Sequence, residues 1–160
     1  MSLENSTYNI LLSDLLRKGS TVKIAVRGMS MFPFLHTGDV VLVKPAEDSD
    51  LKFGRLVVFC SGKNWVVHRL IGQNRAKGLV YTRGDGLVWR DKPVPRANVV
   101  GVVTGIEHSR WKLARLAIGR WSPLWAAMAP VTGPLFRLVV WVIAQRGRSE
   151  ERSGKRKGQF

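Results

Sequence analysis

A single cysteine, Cys60, stands among the 160 residues. That excludes an intramolecular disulfide and any zinc site built from several cysteines, and nothing in it argues for an oxidising compartment. Acidic residues are scarce too: 11 Asp plus Glu face 26 Lys plus Arg, a formal net charge of +15. The first 20 residues lack a secretory signal, because Glu4 and Asp14 interrupt them and their longest apolar run is Ile10-Leu11-Leu12. The first half of the chain is therefore expected in the cytoplasm unless something unusual exports it. Six Trp and seven Pro exclude a coiled coil or a simple repeat. An apolar share of 45% with 23% charged residues excludes a wholly disordered chain. The length suits one domain with a real core, or one domain plus an appendage.

The charge is unevenly spread. Residues 1–109 carry 15 basic and 9 acidic side chains, whereas residues 110–160 carry 11 basic and 2 acidic. A balanced domain followed by a basic tail points to an anionic partner, nucleic acid or lipid headgroups.

Residues 8–18 read as a short amphipathic helix with Tyr8, Leu11, Leu12, Leu15 and Leu16 on one face and Gly19 as its C-cap. From Val22 the period changes: Val22, Ile24 and Val26 alternate with Lys23, Ala25 and Arg27, as in a half-buried strand. Further strand-like runs follow at 40–43, 56–59, 65–71, 79–82 and 99–106, punctuated by Gly, Pro, Asn and Asp. Many short strands at close intervals indicate an antiparallel barrel or sandwich, so residues 21–108 are expected to form one mainly-β domain after an N-terminal helix at 1–20.

Beyond Ser109, residues 110–120 can be helical, and residues 124–144 form an apolar stretch with one charge, Arg137. Its length fits a spanning helix. Pro130, Gly133 and Pro134 break it in the middle, and basic residues flank both ends. Under the positive-inside rule both flanks prefer the cytoplasmic side, which a broken hairpin dipping into one leaflet satisfies and a single span does not. The plainer alternative is a pair of core-packed helices with a basic surface. On the first reading, residues 109–148 associate with membrane lipid and residues 149–160 are a disordered basic tail.

Three segments of the β domain bear groups able to do chemistry. Ser30 lies between Met29 and Met31 just after a strand and before Phe32-Pro33, where a sharp turn can expose its hydroxyl. His68 stands in the apolar run Val66-Val67-His68-Arg69-Leu70. Asp85 lies between Gly84 and Gly86, with Asp91 six residues later. Each is weak alone, since such residues more often cap, pack or turn. His36 and His108 read as a turn and a strand-end residue, and Cys60 as a small buried hydrophobe.

Together these segments resemble the peptidase group that unites signal peptidase I with the LexA-type self-cleaving repressors. Gly28-Met29-Ser30-Met31 with Pro33, Leu35, Gly38 and Asp39 is similar to its nucleophile box. Gly54-Arg55-Leu56-Val57-Val58-Phe59 resembles its Gly-Asp-Ile-Val-Val-Phe strand, and Val67-His68-Arg69-Leu70-Ile71-Gly72 the box of its general base. Thr82-Arg83-Gly84-Asp85 resembles its Thr-Lys-Gly-Asp box, and Val99-Val100-Gly101-Val102-Val103 its closing strand. The resemblance covers roughly residues 20–107. His68 stands where most members carry Lys, which is the pattern of the SipW-like branch that includes the endoplasmic-reticulum enzyme. That resemblance implies a Ser30–His68–Asp triad, with Asp91 the better candidate for orienting His68 and Asp85 the alternative or a supporting group.

The chemistry is consistent with this. A serine hydroxyl is a poor nucleophile until a neighbouring base takes its proton, and imidazole suits that task near neutrality. No Lys lies in residues 64–76, so a Ser–Lys dyad on this strand is excluded. Two departures from the family pattern matter. Gly28 stands where many signal peptidases carry a second Ser that helps form the oxyanion hole, and losing one such donor costs on the order of 10²–10³ in rate. The usual N-terminal membrane anchor is not seen before the nucleophile box, and if membrane attachment exists, residues 124–144 are expected to provide it from the other end.

The resemblance thus implies a mainly-β, signal peptidase/LexA-like catalytic domain with a short N-terminal helix and a C-terminal apolar helical segment. Its expected activity is that of a serine endopeptidase removing a signal or leader peptide from a precursor, without cofactor or metal. Met29, Met31, Phe32 and Pro33 would line the substrate site. The expected location is a membrane, the bacterial inner membrane, with the side of the catalytic domain left open. The alternatives are a catalytically inactive peptide-binding module and a LexA-like DNA-associated regulator. The basic tail could touch phosphate. Nucleic acid is nevertheless disfavoured, because only about 20 residues precede the β domain, no helix-turn-helix fits there, and no Ala-Gly or Cys-Gly autocleavage dipeptide lies upstream of Ser30.

Overall fold

The computed structural model describes residues 2–62 and 64–109 together with residues 115, 118, 123, 124 and 127. Helix α1 spans Ser2–Arg17. Gly19 adopts a φ of 84°, and its N–H bonds to the Leu16 carbonyl at 2.9 Å while that of Ser20 bonds to Leu15 at 3.0 Å. This pair of bonds is a Schellman ending, which needs the left-handed backbone glycine supplies. The expected five-residue apolar face requires correction. Leu12 and Leu16 are buried, but Leu11 is 58% and Leu15 37% exposed. The helix therefore docks through one i, i+4 row rather than a broad stripe. Tyr8 lies outside the residues whose side chains are described.

Seven strands follow: β1 Val22–Ala25, β2 Val40–Pro45, β3 Leu56–Ser61, β4 Asn64–Asn74, β5 Leu79–Arg83, β6 Val94–Pro95 and β7 Val99–His108. They pair antiparallel in one sheet of order β1-β2-β7-β3-β4-β5-β6. The described protein is therefore mainly β. β6 escaped the sequence analysis because two residues show no period.

β3 explains how the sheet carries two cores. Successive strand residues face opposite sides, and Leu56 and Val58 join one apolar cluster while Val57 and Phe59 join another. The first cluster also gathers Leu12, Leu16, Val22, Ile24, Met31, Phe34 and Leu35. The second gathers Leu51, Leu70, Val80, Val94, Val99 and Val102. Cross-strand register then assigns faces to the polar residues of β4 and β5. His68 lies opposite Val57 and Arg69 opposite Leu56. Thr82 lies opposite Leu70 and Arg83 opposite Arg69.

Residues 115, 118, 123, 124 and 127 are helical, and Ile118 packs against the first cluster. The rest of the expected membrane-associating segment 109–148, and the tail 149–160, lie outside the described residues. Among the described residues no helix is long and apolar enough to cross a membrane.

Candidate active site

Ser30 rides on the loop between β1 and β2. Its base is closed by the Val26 N–H bonding to the Asp39 carbonyl at 2.8 Å and the Gly38 N–H to the Val26 carbonyl at 3.0 Å. Gly28, at a φ of 86°, sits in backbone space that a side chain disfavours. The Thr37 hydroxyl clasps it, accepting from its N–H at 3.0 Å and donating to its carbonyl at 3.2 Å. The loop then coils, with the Phe32 N–H on the Met29 carbonyl and those of Phe34 and Leu35 on Met31, and the Phe32-Pro33 bond is cis. Met31, Phe34 and Leu35 anchor it in the first cluster. Ser30 is half-buried as a result, and Met29 is 54% exposed. Of the four residues expected to line a substrate site, Met31, 2% exposed, belongs to the core, while Met29, Phe32 and Pro33 keep open surface.

β4 brings His68 to this loop. Its ring stands edge-on to Phe59, with centroids 6.1 Å apart, and the residue is 5% exposed. Nε2 lies 3.0 Å from Ser30 Oγ and Nδ1 lies 2.7 Å from Asp91 Oδ2. An ionised carboxylate can only accept, so the Asp91 contact places the imidazole proton on Nδ1 and leaves Nε2 to accept from the serine hydroxyl. Asp91 is held in turn by Thr82, whose hydroxyl donates to the same Oδ2 at 2.6 Å and whose carbonyl accepts the Asp91 N–H at 2.9 Å.

Asp85, the other aspartate weighed from the sequence, is placed elsewhere. Arg69 grips it in a two-pronged ion pair, Nε to Oδ1 at 2.7 Å and Nη2 to Oδ2 at 2.6 Å, and both side chains are almost wholly buried. Arg69 Nη1 also donates to the Gly54 carbonyl at 2.6 Å, and its guanidinium lies 5.7 Å from the Phe34 ring centroid. Arg83, across the ladder from Arg69, has its pKa pulled down by burial, with Asp85 opposing and Arg69 adding to the effect. Sequence reasoning missed Arg69. The available signal was a cation inside an apolar run, because buried arginine needs a carboxylate partner.

The loop around Asp85 closes over Ser30. The Gly86 N–H donates to the Ser30 carbonyl at 2.9 Å. A Cβ on Gly84 would stand 2.4 Å from that carbonyl oxygen and 3.1 Å from His68 Nε2. Only glycine allows this approach.

His36, His108 and Cys60, to which the sequence gives no catalytic part, have surroundings of their own. The His36 ring stands edge-on to Phe32, centroids 5.1 Å apart, and the backbone N–H of His36 donates to the buried Asp39 carboxylate at 2.9 Å. His108 ends β7 opposite Val40. Cys60 is half-buried in β3, and burial pushes its thiol pKa up. Among the described residues no group of three or more His, Cys, Asp or Glu could hold a metal ion. No family model and no curated protein matches the chain.

Proposed function

We propose that this protein is a serine endopeptidase of the signal peptidase type, with Ser30 as nucleophile, His68 as general base and Asp91 as the group that orients His68. The observation that carries the reading is the continuous hydrogen-bonded line from Ser30 Oγ through both ring nitrogens of His68 to Asp91. Nucleophile, base and orienting carboxylate are all within hydrogen-bond reach, which is the geometric mark of an activated serine.

In the proposed reaction Ser30 Oγ attacks the scissile carbonyl carbon while its proton passes to His68 Nε2. The imidazolium so formed is stabilised by Asp91. Collapse of the tetrahedral intermediate breaks the C–N bond, and the Nε2 proton goes to the departing amine. Water then attacks the acyl-enzyme, giving up a proton to His68 Nε2; the bond to Ser30 Oγ breaks, Oγ takes that proton back, and the carboxylate product leaves. Gly28 offers no side-chain donor, and its N–H is engaged by Thr37, so stabilisation of the oxyanion falls to other backbone N–H groups of this loop. The substrate is a precursor carrying a signal or leader peptide. Its extended segment would run along the outer edge of β1, an end strand that leads directly into the Ser30 loop, with Met29, Phe32 and Pro33 beneath it. Residues 124–144 would keep enzyme and precursor at the same lipid surface.

The test is cleavage of detergent-solubilised precursor proteins by membranes carrying wild type, Ser30→Ala or His68→Ala, with new N-termini read by mass spectrometry. Termini that arise only with wild type are expected. Identical termini from all three would overturn the peptidase reading in favour of a binding module.

A further inference from the structure

Resting on that reading, we propose that Thr82 is a positioning residue for the reaction: it holds Asp91 in line with His68, so that the working unit has four members. Asp91 does not sit on a strand. It lies in the irregular connection between β5 and β6, with Val88 40% and Trp89 83% exposed just before it, and its own side chain is 22% exposed. A carboxylate so placed is open to water and free to turn about its side-chain bonds unless something fixes it. Thr82 does so at two points. Its carbonyl accepts the Asp91 N–H, which sets the backbone, and its hydroxyl donates to Oδ2, which sets the carboxylate.

Three features make Thr82 suited to this. It is 0% exposed, so water does not compete for its hydroxyl. Its branched Cβ restricts χ1, so the donor direction is set by the strand. It also lies opposite Leu70, two residues along β4 from His68 and on the same face of the sheet. The hydroxyl and the imidazole Nδ1–H therefore converge on one oxygen, at 2.6 and 2.7 Å. Two donors on a single acceptor define the carboxylate's rotation in a way that one alone does not.

The test compares Thr82→Val, which keeps the shape and deletes the donor, with Thr82→Ser, which keeps the donor. Two readouts are needed, so that failure of Thr82 and failure of the peptidase reading separate. The first is nitrogen and proton NMR of the full chain labelled at histidine, with His68 assigned from a His68→Gln variant and folding checked on the amide spectrum. Wild type and Thr82→Ser are expected to hold the proton on Nδ1 as a slowly exchanging downfield line. In Thr82→Val that line is expected to exchange rapidly or to give way to mixed tautomers. The second readout is precursor cleavage, where loss of one hydrogen bond to a charged group is expected to lower kcat about tenfold with KM unchanged, and Thr82→Ser to recover most of it. A Thr82→Val protein with the wild-type line and exchange rate overturns the assignment, as does undiminished cleavage. If wild type cleaves nothing while the line still depends on Thr82, the hold of Thr82 on Asp91 and His68 stands, and the peptidase reading falls with the part it gives Thr82 in a reaction.

Discussion

Neighbouring residues of an extended strand project to opposite faces, and His68 and Arg69 are such neighbours on β4. One meets Ser30 and Asp91 on its face, while the other meets Asp85 on the opposite one. The two aspartates are consequently separable by substitution. Asp91→Asn keeps the shape but removes the charge that stabilises the imidazolium, and its amide can turn NH2 toward Nδ1 and hold His68 in the wrong tautomer, a change expected to cost about 10⁴ in kcat. Because Asp91 is partly exposed, the urea midpoint of that variant is expected to stay near wild type. Asp85→Asn leaves Arg69 as a buried, unbalanced cation, and breaking such a pair costs about 3–5 kcal/mol. Its urea midpoint should fall steeply. A stable Asp85→Asn protein with normal activity would refute this division. Gly84→Ala acts differently again: its Cβ would stand 2.4 Å from the Ser30 carbonyl oxygen, so the Ser30 loop must shift. Cleavage is expected to drop further than stability, as seen by comparing kcat/KM with the urea midpoint.

The strands were largely legible because alternation and turn residues speak in short range. The runs expected at 40–43, 56–59, 65–71, 79–82 and 99–106 coincide with β2, β3, β4, β5 and β7, each of which extends somewhat further. The partnering of the two aspartates was legible only through the resemblance, which favours Asp91 and keeps Asp85 as the alternative; the residues alone left it open, since it depends on which strand residue lies opposite which, and register emerges only when β3, β4 and β5 pair. The apolar face of α1 was misjudged for a similar reason: helical spacing shows which residues could be buried, while the width of the surface receiving the helix decides how many are. Leu12→Ala is therefore expected to cost about 2–5 kcal/mol in a urea titration and Leu11→Ala almost nothing. Equal losses would mean that α1 docks through its wider face. A second element-scale prediction concerns the turn Asp48–Asp50 before β3. The hydrogen bond from Lys44 holds the Asp50 carboxyl below its ordinary value, burial opposes this, and the Glu47 N–H and the charges of Lys44 and Arg55 add to it. A carboxyl lowered in the folded state stabilises the fold above its unfolded pKa, and the contribution fades as pH falls through the folded value. Asp50→Asn should thus be less stable than wild type at neutral pH, with the two urea midpoints converging in acid.

At the scale of the whole molecule, charge and apolar length lie on the same side of Ser109. Of the 26 basic residues, 11 fall in residues 110–160 beside only 2 acidic ones, and the apolar stretch 124–144 lies among them. Two forces would then act on a membrane surface, and salt separates them. Attraction of Lys and Arg to anionic headgroups amounts to about 1 kcal/mol per residue near the surface. It is screened within about 10 Å at 0.1 M salt and about 3 Å at 1 M. Burial of apolar side chains in the acyl region is insensitive to such screening. The full chain is expected to co-sediment with vesicles containing phosphatidylserine at low salt and to remain bound at 1 M, where a purely electrostatic tail would release. Release at 1 M would assign attachment to the basic residues alone and remove the proposed role of residues 124–144. Retention on phosphatidylcholine vesicles, which carry no net charge, would assign it to the apolar segment. That outcome would also bear on the proposed substrate: if the chain is the peptidase proposed above, anchoring by insertion at its C-terminal side would bring it only to precursors whose cleavage sites lie close to the same lipid surface.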